Sequence, residues 1–383
     1  MPSEARTIIS NIAELIEIPS VSSVSPDWDM PNQPVIDRLA ERLEASGWRV
    51  ELIEVPDKPG KTNLLATLGR GDGGLVLSGH TDTVPCDPQL WSSDPFALAE
   101  RDNRLYGLGT ADMKSFLALA MTACAGIDTA ALKAPLMLLA TADEESSMAG
   151  ARALVAAGQP KARFAVIGEP TGLKPVRMHK GILMEAIRVE GRSGHSSDPS
   201  LGANALEGMH QIIAALLGWR DRLQAQSSDA AFAVPVSTMN LGHIRGGDNP
   251  NRICGSCELH IDVRMLPGLD RQALRADLRK ESRDAVTNDQ LVVDFEALFD
   301  GVDPMSTPPE SELVRAAEQL TGSPAEAVAF ATEAPFLANL GMEVVVLGPG
   351  HIDQAHQPDE YLELGQIPRS IEILQALIQR FCL

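Results

Sequence analysis

The chain has 383 residues, enough at roughly 150 residues per domain for about two domains with a substantial core. A hydrophobic fraction of 44% with 22% charged residues excludes an intrinsically disordered chain. The balance of 52 acidic against 32 basic residues, a net charge of −20, makes nucleic acid and anionic membranes poor partners.

In chain order, Ile8, Ile9, Ile12, Leu15 and Ile16 recur at helical spacing among Glu4, Arg6 and Glu14. This predicts an amphipathic helix rather than the apolar core of a signal peptide. Pro34–Ser46, Ser115–Ile127 and Ser147–Ala157 read as further helices. Trp48–Val55, Asn63–Leu68, Leu75–Ser78, Leu136–Thr141 and Phe164–Ile167 read as strands. The glycine-rich stretch Gly69–Gly74 predicts a hairpin between two sheet strands. The apolar run Phe116–Ile127 is shorter than the about twenty residues a membrane span needs, so no span is expected. Five scattered cysteines predict a reducing, cytoplasmic setting without disulfides.

After residue 180 the pattern changes. A strand (Leu183–Val189), a long helix (Ala203–Gln224), two strands (Ser237–Ile244 and Arg252–Met265), a helix (Asp270–Ala285) and a strand (Gln290–Phe295) give the β-α-β-β-α-β order of a ferredoxin-like unit. A helix (Ser311–Leu320), an apolar strand (Glu343–Leu347) and a C-terminal helix (Pro368–Phe381) resume the first pattern. The expected architecture is one discontinuous α/β domain, residues 1–180 and 299–383, with a mixed, mostly parallel sheet covered by helices on both faces. A ferredoxin-like domain, 181–298, is inserted into it.

Histidine and carboxylate residues follow the carboxyl ends of successive predicted strands. They are His80 and Asp82 in SGHTDTVP, Asp143, Glu144 and Glu145 in TADEESSMAG, Glu169 in VIGEPTGL, and His356 in LGPGHIDQAHQPDEY. Asp112, in GLGTADMKS, precedes a helix. In open α/β sheets the carboxyl ends of the strands form the ligand crevice, so these segments converge on one rim. Two imidazoles with several carboxylates and no thiolate suit zinc, cobalt or manganese. The set is too large for one catalytic zinc with an open position and about right for two metals sharing a carboxylate. Each residue alone has a plainer reading, Asp112 as a helix cap and the paired glutamates as solvated surface; the argument rests on their equivalent positions. Gly107 and Gly109 lead to Asp112 rather than to a third glycine, so a dinucleotide fingerprint is absent. Cys254 and Cys257 form a lone CxxC on a predicted strand, where alternation sends the two sulfurs to opposite faces, so no structural zinc is expected. Cys86 reads as structural.

These motifs resemble those of the M20 family of zinc peptidases and deacylases over nearly the whole chain, together with GGDNPNRICGSCELHIDVRMLPG at 246–268 and TEAPFL at 332–337. The resemblance implies two divalent cations, zinc foremost and cobalt or manganese otherwise. His80, Asp112 and Glu169 would hold one, and Asp112, Glu145 and His356 the other, with Asp112 bridging. It implies Glu144 as general base, Asp82 as the group orienting His80, and a cis peptide between Asp112 and Met113. If the segment is extended, Glu144 and Glu145 point in opposite directions, one to metal and one to substrate. His195, in RSGHSSDP, would reach the active site of a partner subunit in a homodimer built by the inserted domain. Asn251, Arg252 and Arg264 would bind substrate, and Glu333 would pair with a substrate ammonium near the rim. The implied reaction is hydrolysis of an N-acylated amino acid, first of all N-acetyl-L-ornithine, a step of arginine biosynthesis. Succinyl-diaminopimelate desuccinylation and general N-acyl-amino-acid hydrolysis are the alternatives within the family.

Overall fold

The computed structural model describes residues 3–383; the side chain of Glu4, used above in reading the first helix, lies outside the described residues. In chain order the elements are α1 (Ser3–Ile16), α2 (Gln33–Ala45), β1 (Arg49–Glu54), β2 (Thr62–Leu68), β3 (Leu75–His80), β4 (Ala99–Arg101), β5 (Arg104–Tyr106), α3 (Lys114–Ala123), β6 (Leu136–Thr141), α4 (Ala149–Ala157), β7 (Phe164–Pro170) and β8 (Val176–His179). Then follow β9 (Gly181–Glu190), α5 (Ala205–Gln226), β10 (Thr238–Gly246), β11 (Ser256–Met265), α6 (Arg271–Ala285), β12 (Val292–Val302) and β13 (Met305–Ser306). The chain closes with α7 (Glu312–Thr321), β14 (Glu326–Val328), α8 (Ala334–Asn339), β15 (Glu343–Gly348), β16 (Tyr361–Glu363) and α9 (Gln366–Phe381).

These elements form two compact units. One runs to Arg177 and includes Thr307–Glu326 and Thr332–Leu383; the other is Met178–Ser306 with Ala327–Ala331.

The central sheet of the first unit has the order β1-β2-β6-β3-β7-β15. Its middle strands β6, β3, β7 and β15 are parallel, flanked by antiparallel β2 and β1. The parallel strands are apolar at nearly every position because both faces are covered. Leu75 and Leu77 of β3, Leu136 and Leu138 of β6, Phe164 and Val166 of β7, and Val345 and Leu347 of β15 join one core with α1, α3 and α9. The alternate residues Val76, Met137, Ala165 and Val344 are buried as well, on the opposite face by strand alternation. Since the four strands run the same way, their carboxyl ends share one edge. A separate small sheet, β16-β5-β4, brackets the loop after Tyr106.

The expected hairpin at Gly69–Gly74 is not formed. β6 lies between β2 and β3, antiparallel to one and parallel to the other. The glycine segment is instead a wide turn around the entry to β6. Gly74 has φ +87°, and a Cβ there would stand 2.0 Å from the carbonyl oxygen of Pro135, so only glycine fits this approach.

In the second unit β9, α5, β10, β11, α6 and β12 follow the ferredoxin-like order, with an antiparallel sheet β10-β11-β9-β12. Asn204 caps α5 by accepting from Leu206 N–H, and Asp270 caps α6 by accepting from Ala273 N–H. β11 begins at Ser256, not at Arg252 as expected, because Ile253 N–H donates to Gly194 O and Ala205 N–H donates to Cys254 O, pulling this stretch away from the ladder. Strand alternation therefore does not separate Cys254 from Cys257; both join the same apolar core. All five cysteines are free thiols. Among the described residues no helix is long and apolar enough to cross a membrane.

Candidate metal centre

His80 ends β3 and is 1% exposed. Its Nδ1 lies 2.9 Å from the main-chain oxygen of Asp82. A carbonyl can only accept, so Nδ1 carries a proton, and Nε2 lies 3.0 Å from Asp112 Oδ1, free to take a cation once its own proton is lost. The Asp82 carboxylate stands further off, with an oxygen 3.9 Å from Nδ1, and the main chain makes the contact. The carboxylate instead accepts the Glu145 N–H at 3.0 Å, tying the β3 end to the turn after β6.

Asp112 lies in the loop between β5 and α3, and the Asp112–Met113 peptide is cis. Its two carboxylate oxygens face different imidazoles. Oδ1 meets His80, and Oδ2 is 3.6 Å from His356 Nε2. The loop backbone is held by Glu360, which sequence reading missed: its carboxylate accepts N–H bonds from Gly109, Ala111 and Asp112. Burial pushes the Glu360 carboxyl up to about 8, against these three amides.

Glu144 and Glu145 do not sit on an extended segment. Asp143 adopts φ +57° and the chain turns through 144–147, so the two carboxylates converge on the same cluster rather than diverging. Ligand atoms of His80, Glu144 and Glu169 lie within 4.8 Å of one another, as do those of His80, Asp112 and Glu145. His356, half-exposed on the loop after β15, lies 3.0 Å from Glu145. The turn is anchored by Asp143. Its buried carboxylate takes Lys61 Nζ at 2.8 Å and Lys58 Nζ at 3.3 Å, and accepts from the Ser22 and Ser147 hydroxyls. Lys61 is itself 2% exposed. A buried lysine in a polar loop carries no sequence signal of its own, which is why this brace was not anticipated.

Such a cluster holds more negative charge than the interior tolerates unaided. Burial, then the Glu169 carboxylate, raise Glu144 well above the usual carboxylate range; burial, then Asp112, do the same to Glu169. Burial opposes charge on His80, but its bond to Asp112 and the nearby Glu169 and Asp82 outweigh it and hold the ring well above an ordinary imidazole. Imidazole nitrogens and carboxylate oxygens, with no thiolate, are a donor set for divalent cations, which replace the protons such a site otherwise retains. The residues present therefore fit a metal pair.

Glu333 is placed differently from the expectation. It precedes α8 at 1% exposure, and its Oε1 accepts the Ser78 hydroxyl at 2.5 Å. Its other oxygen is buried. This is an interior site between strand ends rather than an open rim. In the second unit His195 is exposed, with Nδ1 2.7 Å from Ser197 Oγ. It bridges to Arg252 along the main chain, and Ser196 N–H donates to Asn251 O. Arg252 pairs with Asp248 and shares with Arg245 an open pocket of ≈ 560 Å³. Arg264 does not join this group. It lies eight residues along β11 from Ser256, roughly 26 Å at the rise of a strand, and pairs with Asp262.

The sequence pattern of Peptidase family M20/M25/M40 matches residues 76–380. The chain is 48% identical over 377 residues to the acetylornithine deacetylase of Proteus mirabilis (strain HI4320), covering 98% of this chain and 97% of that relative. Its fold is similar to that of the M20 family metallo-carboxypeptidase Sso-CP2 from Sulfolobus solfataricus, with a TM-score of 0.78, 18% identity and 99% of each chain covered. It is also similar to the YXEP protein of Bacillus subtilis, described as a dinuclear metal binding peptidase from the M20 family, with a TM-score of 0.66, 17% identity and 99% of each chain covered.

Proposed function

This chain belongs to peptidase family M20/M25/M40 and is a hydrolase of amide bonds; on that premise we propose that it cleaves N-acetyl-L-ornithine to L-ornithine and acetate in the cytoplasm, with two divalent cations, zinc foremost. The observation that carries the metal reading is the Asp112 carboxylate, whose oxygens face His80 and His356 separately. His80, Asp112 and Glu169 then hold one cation, and Asp112, Glu145 and His356 the other. When bound, such a pair polarises the acyl oxygen and makes a water acidic enough to attack at neutral pH. Glu144 takes the proton from that water as its oxygen bonds to the acyl carbon. It returns the proton to the nitrogen as the C–N bond breaks, releasing acetate and the amine. The Asp82–Glu145 and Lys61–Asp143 bonds hold the turn that carries Glu144. Arg252 supplies a guanidinium for the substrate α-carboxylate, with Asn251 beside it.

Acetate release from a panel of N-acetylornithine, N-acetylmethionine and N-succinyl-diaminopimelate, at defined zinc loading, tests the substrate. A preference for the succinylated substrate overturns it. In the same panel Glu333→Gln is expected to slow N-acetylornithine and N-acetylmethionine alike, because Glu333 is buried and bonded to Ser78 between strand ends. A loss confined to the ornithine substrate would return the ammonium contact to Glu333.

The second unit supports a homodimer with His195 acting across it. β10 is an edge strand, a row of main-chain groups open to pairing, and His195 is exposed beside Asn251 and Arg252. Equal mixing of the inactive Glu144→Gln and His195→Ala variants is expected to restore about a quarter of wild-type activity. Half of the exchanged dimers are hybrids, each with one complete site. No recovery after verified exchange places His195 elsewhere in the mechanism.

A further inference from the structure

The geometry points to Glu360 as a positioning residue that sets the Asp112 carboxylate through the backbone of its loop, an inference that rests on the metal reading of Asp112. Glu360 is 1% exposed and stands immediately before β16, where its own main-chain oxygen accepts Gly107 N–H at 3.1 Å. β16 is fixed against β5 by the Tyr361–Tyr106 register. The two rings lie 5.6 Å apart, each covered by a guanidinium at 4.0 Å, Arg104 on Tyr361 and Arg101 on Tyr106. From this bracket the Glu360 carboxylate reaches into the loop. Oε1 accepts from Ala111 N–H at 2.7 Å and Asp112 N–H at 3.0 Å, and Oε2 from Gly109 N–H at 3.2 Å.

Those amides belong to irregular, buried backbone with no strand to pair with. Buried N–H groups require a partner, and one side chain satisfies all three. The consequence reaches the metal centre by two routes on one segment. His356, four residues earlier, faces Asp112 Oδ2, while Glu360 fixes the backbone from which Asp112 projects. Glu360 belongs to neither ligand grouping, so its hydrogen bonds act on the site through placement.

The test is zinc affinity of the metal-stripped protein, by competition with a chromophoric chelator, in Glu360→Gln, Glu360→Asp and Glu360→Ala. Glutamine keeps the full reach, and its amide oxygen can still accept from Ala111 and Asp112, leaving only Gly109 N–H unpartnered, so its affinity is expected to fall by less than about tenfold and by less than that of aspartate. Aspartate keeps the charge but withdraws the acceptors by about 1.5 Å. It is expected to lose roughly 10–100-fold in zinc affinity, the usual scale for outer-shell partners; alanine should lose at least as much. kcat falls in the same order at saturating zinc, with KM unchanged. If alanine fails to fold, the ranking of glutamine over aspartate carries the test. Wild-type affinity in aspartate, or glutamine weaker than aspartate, overturns the inference by making charge rather than reach decisive. Wild-type protein that does not compete for zinc at all would instead overturn the metal reading beneath it.

Discussion

Glu144→Gln is expected to bind zinc with unchanged stoichiometry while losing ~10²–10⁴-fold in kcat, the scale of a positioned general base, or about 3–5 kcal/mol of transition-state stabilisation. The substitution preserves the shape of a side chain that lies against His80 and Glu169 and removes only its ability to take a proton. That closeness gives the experiment its discriminating power, because a carboxylate within 4.8 Å of two candidate ligands can also serve as a ligand itself. Metal counting separates the roles. Full zinc content with lost turnover identifies the base. Loss of one zinc would transfer Glu144 to the ligand set, and wild-type turnover would leave proton transfer to Glu145 or to the activated water alone.

Removal of metal is the second large effect. Chelation should abolish acetate release, and zinc or cobalt should restore it; full turnover in demonstrably metal-free protein would sink the reading. The two histidines should differ. His80 is 1% exposed and belongs to both ligand groupings, so His80→Ala disturbs the whole cluster and is expected to be the more damaging. His356 sits half-exposed on a loop and faces Asp112 and Glu145, so His356→Ala should leave residual activity from the remaining cation. Proton competition gives a further sign. The bond to Glu145, with Asp112 nearby, raises His356 to about 9 in the metal-free protein. The ring is therefore protonated below that value and must lose its proton to bind. Apparent zinc affinity should fall as pH is lowered from about 9, and zinc uptake at neutral pH should release protons measurable in weak buffer. An affinity flat across that range would remove His356 from the ligand set.

Much of this protein is written locally. Apolar runs such as Leu136–Thr141 and Glu343–Leu347 identify strands buried on both faces, because no polar residue interrupts them at a period of two. Candidate side chains for holding a cation or moving a proton were legible for a related reason. Ligation needs particular residue types, and the parallel sheet brings the ends of β3, β6, β7 and β15 to one edge, so His80, Glu144, Glu145, Glu169 and His356 could be picked out by type and position. The order of strands was not legible. A period of two fixes which face a residue occupies but not which strand lies beside it, so the placement of β6 between β2 and β3 waited on long-range pairing, as did the turn that brings Glu144 and Glu145 together. Nor were the groups that hold the site in place. Glu360 acts on main-chain amides of any sequence, Asp82 meets His80 through its carbonyl rather than its carboxylate, and Glu333 turns inward to a serine 255 positions away. These contacts depend on where the backbone arrives after folding, and backbone donors and acceptors are the same at every residue except proline.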